Sequence, residues 1–228
     1  MAEPPRVIDL SHVIRDGMTT FPGLPGPEIA DHLGREASRG RYAPGTEFHI
    51  GRISMVVNTG TYLDTPFHRY AGGADLAGVP VHRLVDLDGL VVRLAAGVRA
   101  ADRALLSAHR VAGRAVLVRT GWDAHFGTDR YAAADHPYLS ADAAAWLADS
   151  GAALVGIDSV SVDYVGPGNG GARPAHSTLL AAGIPIVEHL RGLDALPETG
   201  FRFSAPPPMI AGLGSFPVRA YAIVSSGR

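Results

Sequence analysis

Apolar residues in this chain come in short runs cut by glycine and proline, and that punctuation limits the fold more than any other feature. The sequence holds 28 glycines and 17 prolines in 228 residues, loop-rich but short of a low-complexity composition. Residues 7–10, 48–57, 90–94, 115–118, 153–157, 184–188 and 218–224 read as strands by their β-branched, apolar character. The last of these alternates so little that burial on both faces is expected. Helical spacing covers residues 101–111 (Leu105, Leu106, His109). A second helix runs from the N-cap Ser140 to Asp149, and a third over 175–182 is ended by Gly183. Residues 17–27 and 158–174 read as loops. Strands and helices are interleaved without internal repeat or linker-like break, so the expectation is one α/β domain over residues 1–228 with a mixed sheet.

Composition removes several chemistries. Cysteine is absent, which excludes disulfides, thiolate nucleophiles, Fe–S clusters and sulfur-ligated zinc. All 20 basic residues are arginine, so no Schiff-base lysine and no Walker A lysine exist. Any metal must be held by His, Asp, Glu, Asn or backbone oxygen. A formal charge of −2 offers no basic field to nucleic acid or an anionic membrane. No run approaches the roughly 20 apolar residues of a membrane span, and residues 1–6 lack the apolar stretch of a signal peptide. A cytoplasmic location is expected.

Two clusters carry ionisable groups. In the first, Asn58-Thr59-Gly60-Thr61-Tyr62-Leu63-Asp64-Thr65-Pro66-Phe67-His68, Gly60 permits a tight turn and Pro66 stiffens the exit. Asp64 and His68 on one stiff loop can serve as metal ligand and general base, or equally as an Asx-type turn and a helix start. In the second, His176 opens a short helix and Glu188 ends the next strand. Those two converge on a site, or remain an exposed His and a solvent-facing Glu. Gly166-Pro167-Gly168-Asn169-Gly170-Gly171 matches G-x-G-x-x-G, but the polar stretch before it, Pro174 and the short helix speak against a dinucleotide site. His32, His82, His109, His125 and His136 read as surface or helix-face residues. Phe21, Phe67 and Trp122 are candidates for the walls of an aromatic substrate pocket.

Together the clusters resemble the cyclase family that includes bacterial kynurenine formamidase and isatin hydrolase, whose signature is His-x-Gly-Thr-His-x-Asp-x-Pro-x-His followed later by a His and a Glu. Matching fragments are Asp9-Leu10-Ser11-His12, Phe21-Pro22-Gly23, Thr59 through His68, Arg119-Thr120-Gly121-Trp122, Gly156-Ile157-Asp158-Ser159-Val160-Ser161-Val162-Asp163, and His176 through Glu188. The resemblance implies a swivelling β/β/α fold, a homodimer or homotetramer, a setting such as tryptophan catabolism, and metal-assisted hydrolysis of an amide or lactam. The family's first two signature histidines, normally metal ligands, are Asn58 and Tyr62 here, and both are poor ligands. What the resemblance leaves is one divalent ion (Zn or Mn) on Asp64, His176 and Glu188, with Asn58 as a fourth donor.

The expected activity is hydrolysis of a C–N bond in a small aryl formamide or cyclic amide. His68 would act as acid/base beside Asp64, and Tyr62 would donate to the carbonyl oxygen. The alternatives are a metal-independent cyclase, dehydratase or isomerase working by proton transfer, and a non-catalytic small-molecule binding protein on the same scaffold.

Overall fold

The computed structural model describes residues 4–225. Among them the strands are β1 (Arg6–Asp9), β2 (Glu28–Leu33), β3 (Ile50–Ser54), β4 (Tyr62–Asp64), β5 (Leu87–Arg93), β6 (Ala100–Ala101) and β7 (Arg114–Arg119). They continue as β8 (Tyr138–Leu139), β9 (Leu154–Ile157), β10 (Ile186–Glu188), β11 (Phe201–Ser204), β12 (Ser215–Pro217) and β13 (Tyr221–Val224). The helices are α1 (Arg35–Ser38), α2 (Arg103–Ser107), α3 (Ala141–Asp149) and α4 (Pro174–Ala181). Nine strands build one mixed sheet in the order β1-β13-β11-β5-β7-β9-β10-β4-β12. Its centre, β5-β7-β9-β10, is parallel, and antiparallel strands flank it on both sides. The expected α/β architecture with a mixed sheet is the one observed.

The parallel centre is apolar on both faces, as a doubly covered sheet requires. Leu90, Val92, Val116, Val118, Val155 and Ile157 pack with Leu106, Leu147, Leu179 and Leu180 of the helices. The alternate residues Val91, Leu117, Leu154 and Val187 pack on the opposite face with Leu63, Phe201 and Phe203. Helix α3 starts where its sequence signal lies, the Ser140 side chain accepting from the Ala143 N–H. By contrast, β2 and β3 form a separate antiparallel ribbon whose Ile29, Ile50 and Ile53 are each nearly half exposed.

Four local expectations change. The helix expected over 101–111 is only α2, because Ala101 pairs with β8 and Asp102 caps the Leu105 N–H. β13 is not covered on both faces: only Ala222 is fully buried, since the strand lies next to the edge strand β1. His136, expected at the surface, is fully buried, its Nε2 accepting from the Val165 N–H. Residues 62–64, read as part of a turn, form β4. No described helix is long and apolar enough to cross a membrane.

Candidate active site

β4 is three residues long and lies between β10 and β12. Strand alternation sends Leu63 into the core and leaves Tyr62 and Asp64 together on the other face. The register sets Glu188 opposite Tyr62 and Ser215 opposite Asp64, so these four side chains share that face. Gly60 supplies the left-handed turn (φ 65°) that feeds β4. Gly214 permits the close approach of β12, since a Cβ there would lie 2.2 Å from the His68 backbone nitrogen.

Helix α4 adds His176. Pro174 occupies its first turn, and Asp163 takes the place of a local cap by accepting from the Ala175 and His176 N–H groups at 2.7 and 3.0 Å. The same carboxylate receives His176 Nδ1–H at 2.6 Å. That bond turns His176 Nε2 toward Asp64 Oδ2, 3.6 Å away, and Glu188 Oε1, 3.4 Å away. Asp64 and Glu188 therefore meet at one imidazole nitrogen, although they are far apart in sequence.

Glu188 accepts from the Tyr62 hydroxyl at 2.6 Å on one oxygen and from the Val162 N–H at 2.7 Å on the other. Tyr62 is fully buried, and burial together with Glu188 and Asp64 keeps its phenol neutral, with a pKa well above the ordinary value. Its only proton goes to Glu188. In this arrangement Tyr62, expected to donate to a carbonyl oxygen, braces Glu188. Asn58 acts on the Tyr62 phenol in the opposite direction, lowering its pKa against those effects.

Ser215 Oγ donates to Asp64 Oδ1 and lies 2.8 Å from His68 Nδ1. A serine hydroxyl has one proton and gives it to Asp64, so His68 Nδ1 is the donor to Ser215. His68 Nε2 is then left with its lone pair. His68 is itself partly exposed, on a cavity of about 410 Å³ shared with Arg69, Arg173, His176 and Ser177.

Asp64, His68 and His176 offer donor atoms within 4.8 Å of one another, a group that could hold a metal ion; Glu188, the expected third ligand, is not part of that group but brings Oε1 to 3.4 Å from His176 Nε2. Three observations fit such an ion. Asp64 Oδ2 is buried without a hydrogen-bond partner. Asp64, Asp163 and Glu188 are at most 2% exposed, and among the described residues their ionic partners are histidines, with no arginine among them. Finally, ligands about 2.1 Å from a tetrahedral ion stand about 3.4 Å apart, close to the spacing of His176 Nε2 from both carboxylates. The Asp163–His176 bond is also the usual orienting contact of a metal-binding histidine. Burial opposes protonation of His176, but Glu188, Asp163 and Asp64 outweigh it and hold the imidazole well above its ordinary range. Burial raises Glu188.

The aromatic candidates are placed differently. Trp122 is buried against Tyr131 and Val160 with Phe21 packed on them, its indole N–H bonded to the Tyr131 carbonyl. Neither Trp122, Phe21 nor Phe67 lines the cavity at His68 and His176. Next to Tyr62 lies a second histidine group. His189 is fully buried with left-handed backbone (φ 56°), and its Nδ1 meets the Tyr131 hydroxyl at 2.8 Å. His12 stacks on Phe126 with ring centroids 3.6 Å apart. Burial drives His12 down to about 4 and His189 to about 3.

Asp163 and Ser215 had no role assigned from the sequence. Asp163 stands at the end of a matching fragment, thirteen residues before His176, so that signal was available. Ser215 reaches the site only through the pairing of β12 with β4, which no local pattern announces.

Comparison with known proteins places the whole chain among related sequences and folds. The kynurenine formamidase of Erythrobacter litoralis is 30% identical over 202 residues, covering 89% of this chain and 86% of its own. The kynurenine formamidase of Bacillus cereus (strain ATCC 14579) is 27% identical over 93% of this chain and 95% of its own. An isatin hydrolase bound to the product analogue thioisatinate superimposes with a TM-score of 0.83 at 23% identity, covering 97% of this chain and 93% of the other. A structure described as a potential metal-dependent hydrolase with cyclase activity gives 0.77 at 25% identity, covering 99% of this chain and 100% of the other. The family described as "Putative cyclase" matches residues 8–164, well over half of the sequence, and with that span the chain belongs to the cyclase family.

Proposed function

We propose that this protein is a hydrolase that opens the C–N bond of a small aryl formamide or cyclic amide. The observation that carries the reading is the convergence of Asp64, His176 and Glu188, with His68 held beside them by Ser215. The relatives named kynurenine formamidase and isatin hydrolase support the same reaction class.

Asp64 Oδ2, His176 Nε2 and Glu188 Oε1 would hold one divalent ion, zinc or manganese. When bound, such an ion polarises a carbonyl or makes water a stronger acid. Tyr62 and Val162 keep Glu188 in place, and Asp163 fixes the His176 tautomer. His68 Nε2 takes a proton from the attacking water as the water oxygen bonds to the carbonyl carbon. It then returns that proton to the nitrogen as the C–N bond breaks. A formamide yields formate and an amine, and a lactam yields the ring-opened amino acid. Proton transfer of this kind contributes about 10²–10⁴-fold.

A metal-independent reading is favoured by one observation. Asp163, Glu188 and Asp64 stand 2.6, 3.4 and 3.6 Å from the ring nitrogens of His176 and raise its proton affinity, so an imidazolium can take the place of the cation.

The test is a panel of aryl formamides, lactams and lactones, assayed with and without added Mn²⁺ or Zn²⁺. Turnover of formamide or lactam supports the reading, and activity confined to lactones contradicts it.

A further inference from the structure

We propose that His189 is a substrate-binding residue that holds a second, uncharged carbonyl, so that the preferred cyclic amides are imides. The inference rests on the amide-hydrolase reading and adds to it the ring that suits the neutral side of the site. Strand alternation would send His189 to the face opposite Glu188. Its left-handed backbone (φ 56°) instead returns the ring to the side of Tyr62, with ring centroids 5.1 Å apart. A non-glycine residue in that region is strained, and such strain collects at ligand sites. Thr61 fastens the turn: its hydroxyl donates to the His189 carbonyl at 2.6 Å and accepts from the His12 N–H at 2.9 Å.

Counting protons assigns the tautomer. The Tyr131 hydroxyl and His189 Nδ1 are 2.8 Å apart, and among the described residues the phenol has no second acceptor. Tyr131 therefore gives its single proton to Nδ1, and the neutral imidazole carries its own hydrogen on Nε2. His189 is fully buried, and its Nε2 has no hydrogen-bond partner. A buried donor left without an acceptor is costly, and a ligand carbonyl relieves that cost. His12 Nε2 is buried and unpartnered as well.

The surroundings of His189 select an uncharged, planar group. Tyr62, Tyr131 and Phe126 ring it, with centroids 5.1, 5.6 and 6.2 Å from its own. Burying a carboxylate among them would be expensive, whereas a carbonyl that gains a hydrogen bond is tolerated. Phe126 stacks on His12 at 3.6 Å and precedes Gly127, which with Tyr131 lines a cavity of about 260 Å³. The ligand enters from that cavity as the half-buried Phe126 swings aside. An imide offers two carbonyls on one nitrogen. One faces His68 and the carboxylates, where the water oxygen bonds to its carbon, the C–N bond breaks and the proton passes to nitrogen. The other accepts from His189 Nε2–H. That second carbonyl takes no part in bond breaking, so its hydrogen bond acts on KM more than on kcat.

The test uses the full-length protein, loaded with Zn²⁺, and two matched rings: phthalimide, with two carbonyls, and isoindolinone, with one. Phthalimide is expected to show a KM about three- to tenfold below that of isoindolinone, the value of one hydrogen bond. His189→Asn tolerates the left-handed backbone but is too short to reach, so the KM ratio moves to about one while kcat stays within about threefold. A ratio the variant leaves unchanged, or a kcat that falls further, overturns the proposal. Turnover of aryl formamides with neither ring cleaved overturns it too. The His68→Ala protein keeps the imide uncleaved and gives a second readout in two-bond proton–nitrogen NMR spectra of its histidines. His189 is expected as the Nε2–H tautomer, with Nε2 shifted on addition of phthalimide. An Nδ1–H tautomer, or a resonance that phthalimide leaves in place, refutes the subsite. If the wild type cleaves neither ring nor any formamide, the amide reading fails, and these spectra alone decide the subsite.

Discussion

Beside α4, three buried carboxyl groups crowd His176 and hold it well above the ordinary histidine range, whereas His12, half-buried against Phe126, and His189, fully buried beside Tyr131, fall to about 4 and about 3. The two regions are neighbours: Glu188 belongs to the first and His189, the next residue, to the second. His176 and His189 are both buried, so burial alone does not set the proton affinity. The partners do. Where the family's signature has its first two histidines, this chain has Asn58 and Tyr62; neither carries a charge, and Tyr62 gives its proton to Glu188. The chemistry is thereby confined to the carboxylate side.

The largest expected effect is on that side. His68→Ala is predicted to lower kcat by about 10²–10⁴-fold in steady-state assays of an active formamide. A loss below tenfold would remove His68 from the proton transfer. Asp163→Asn should weaken Mn²⁺ or Zn²⁺ affinity by about 10–100-fold, measured by titration of the chelator-treated protein, because the tautomer and orientation of His176 are no longer fixed. Ser215→Ala is expected to cost about tenfold in kcat, with a shifted limb in the pH profile, since His68 Nδ1 loses its acceptor.

The neutral region should respond in stability more than in rate. Tyr62→Phe leaves Glu188 Oε2 buried without its donor, and urea denaturation should show a loss of about 1–3 kcal/mol. The smallest effect belongs to His12. Its folded pKa of about 4 lies below the unfolded value near 6.5, so the unfolded chain binds the extra proton between those pH values. Its contribution to stability is present above pH 6.5 and is lost as the pH falls toward 4. A His12→Gln variant should show a flatter pH dependence of urea midpoint over that window, and an identical slope would refute the assignment.

The parts legible in the sequence are those written in local patterns. The parallel strands show as short apolar runs, the start of α3 as Ser140, and the site candidates as ionisable residues on a Gly- and Pro-stiffened segment. What escaped depends on long-range pairing. Tyr62–Asp64 is too short to display an alternation, and becomes a strand because β10 and β12 pair with it. Ser215 and His68 are 147 residues apart and meet through that register. His136 sits beside Asp135 and Pro137, a polar local context that hides its role as acceptor for the Val165 N–H. The aromatic side chains looked like pocket walls from their chemistry alone, yet Trp122 and Phe21 complete a small core with Tyr131.

The most direct test of the account is the metal content of protein purified without chelator, measured by inductively coupled plasma mass spectrometry and paired with formamide turnover before and after chelation. About one divalent ion per chain is predicted, with activity lost on its removal and restored by its return. Metal-free protein turning over the same formamide at full rate in the presence of chelator would contradict it.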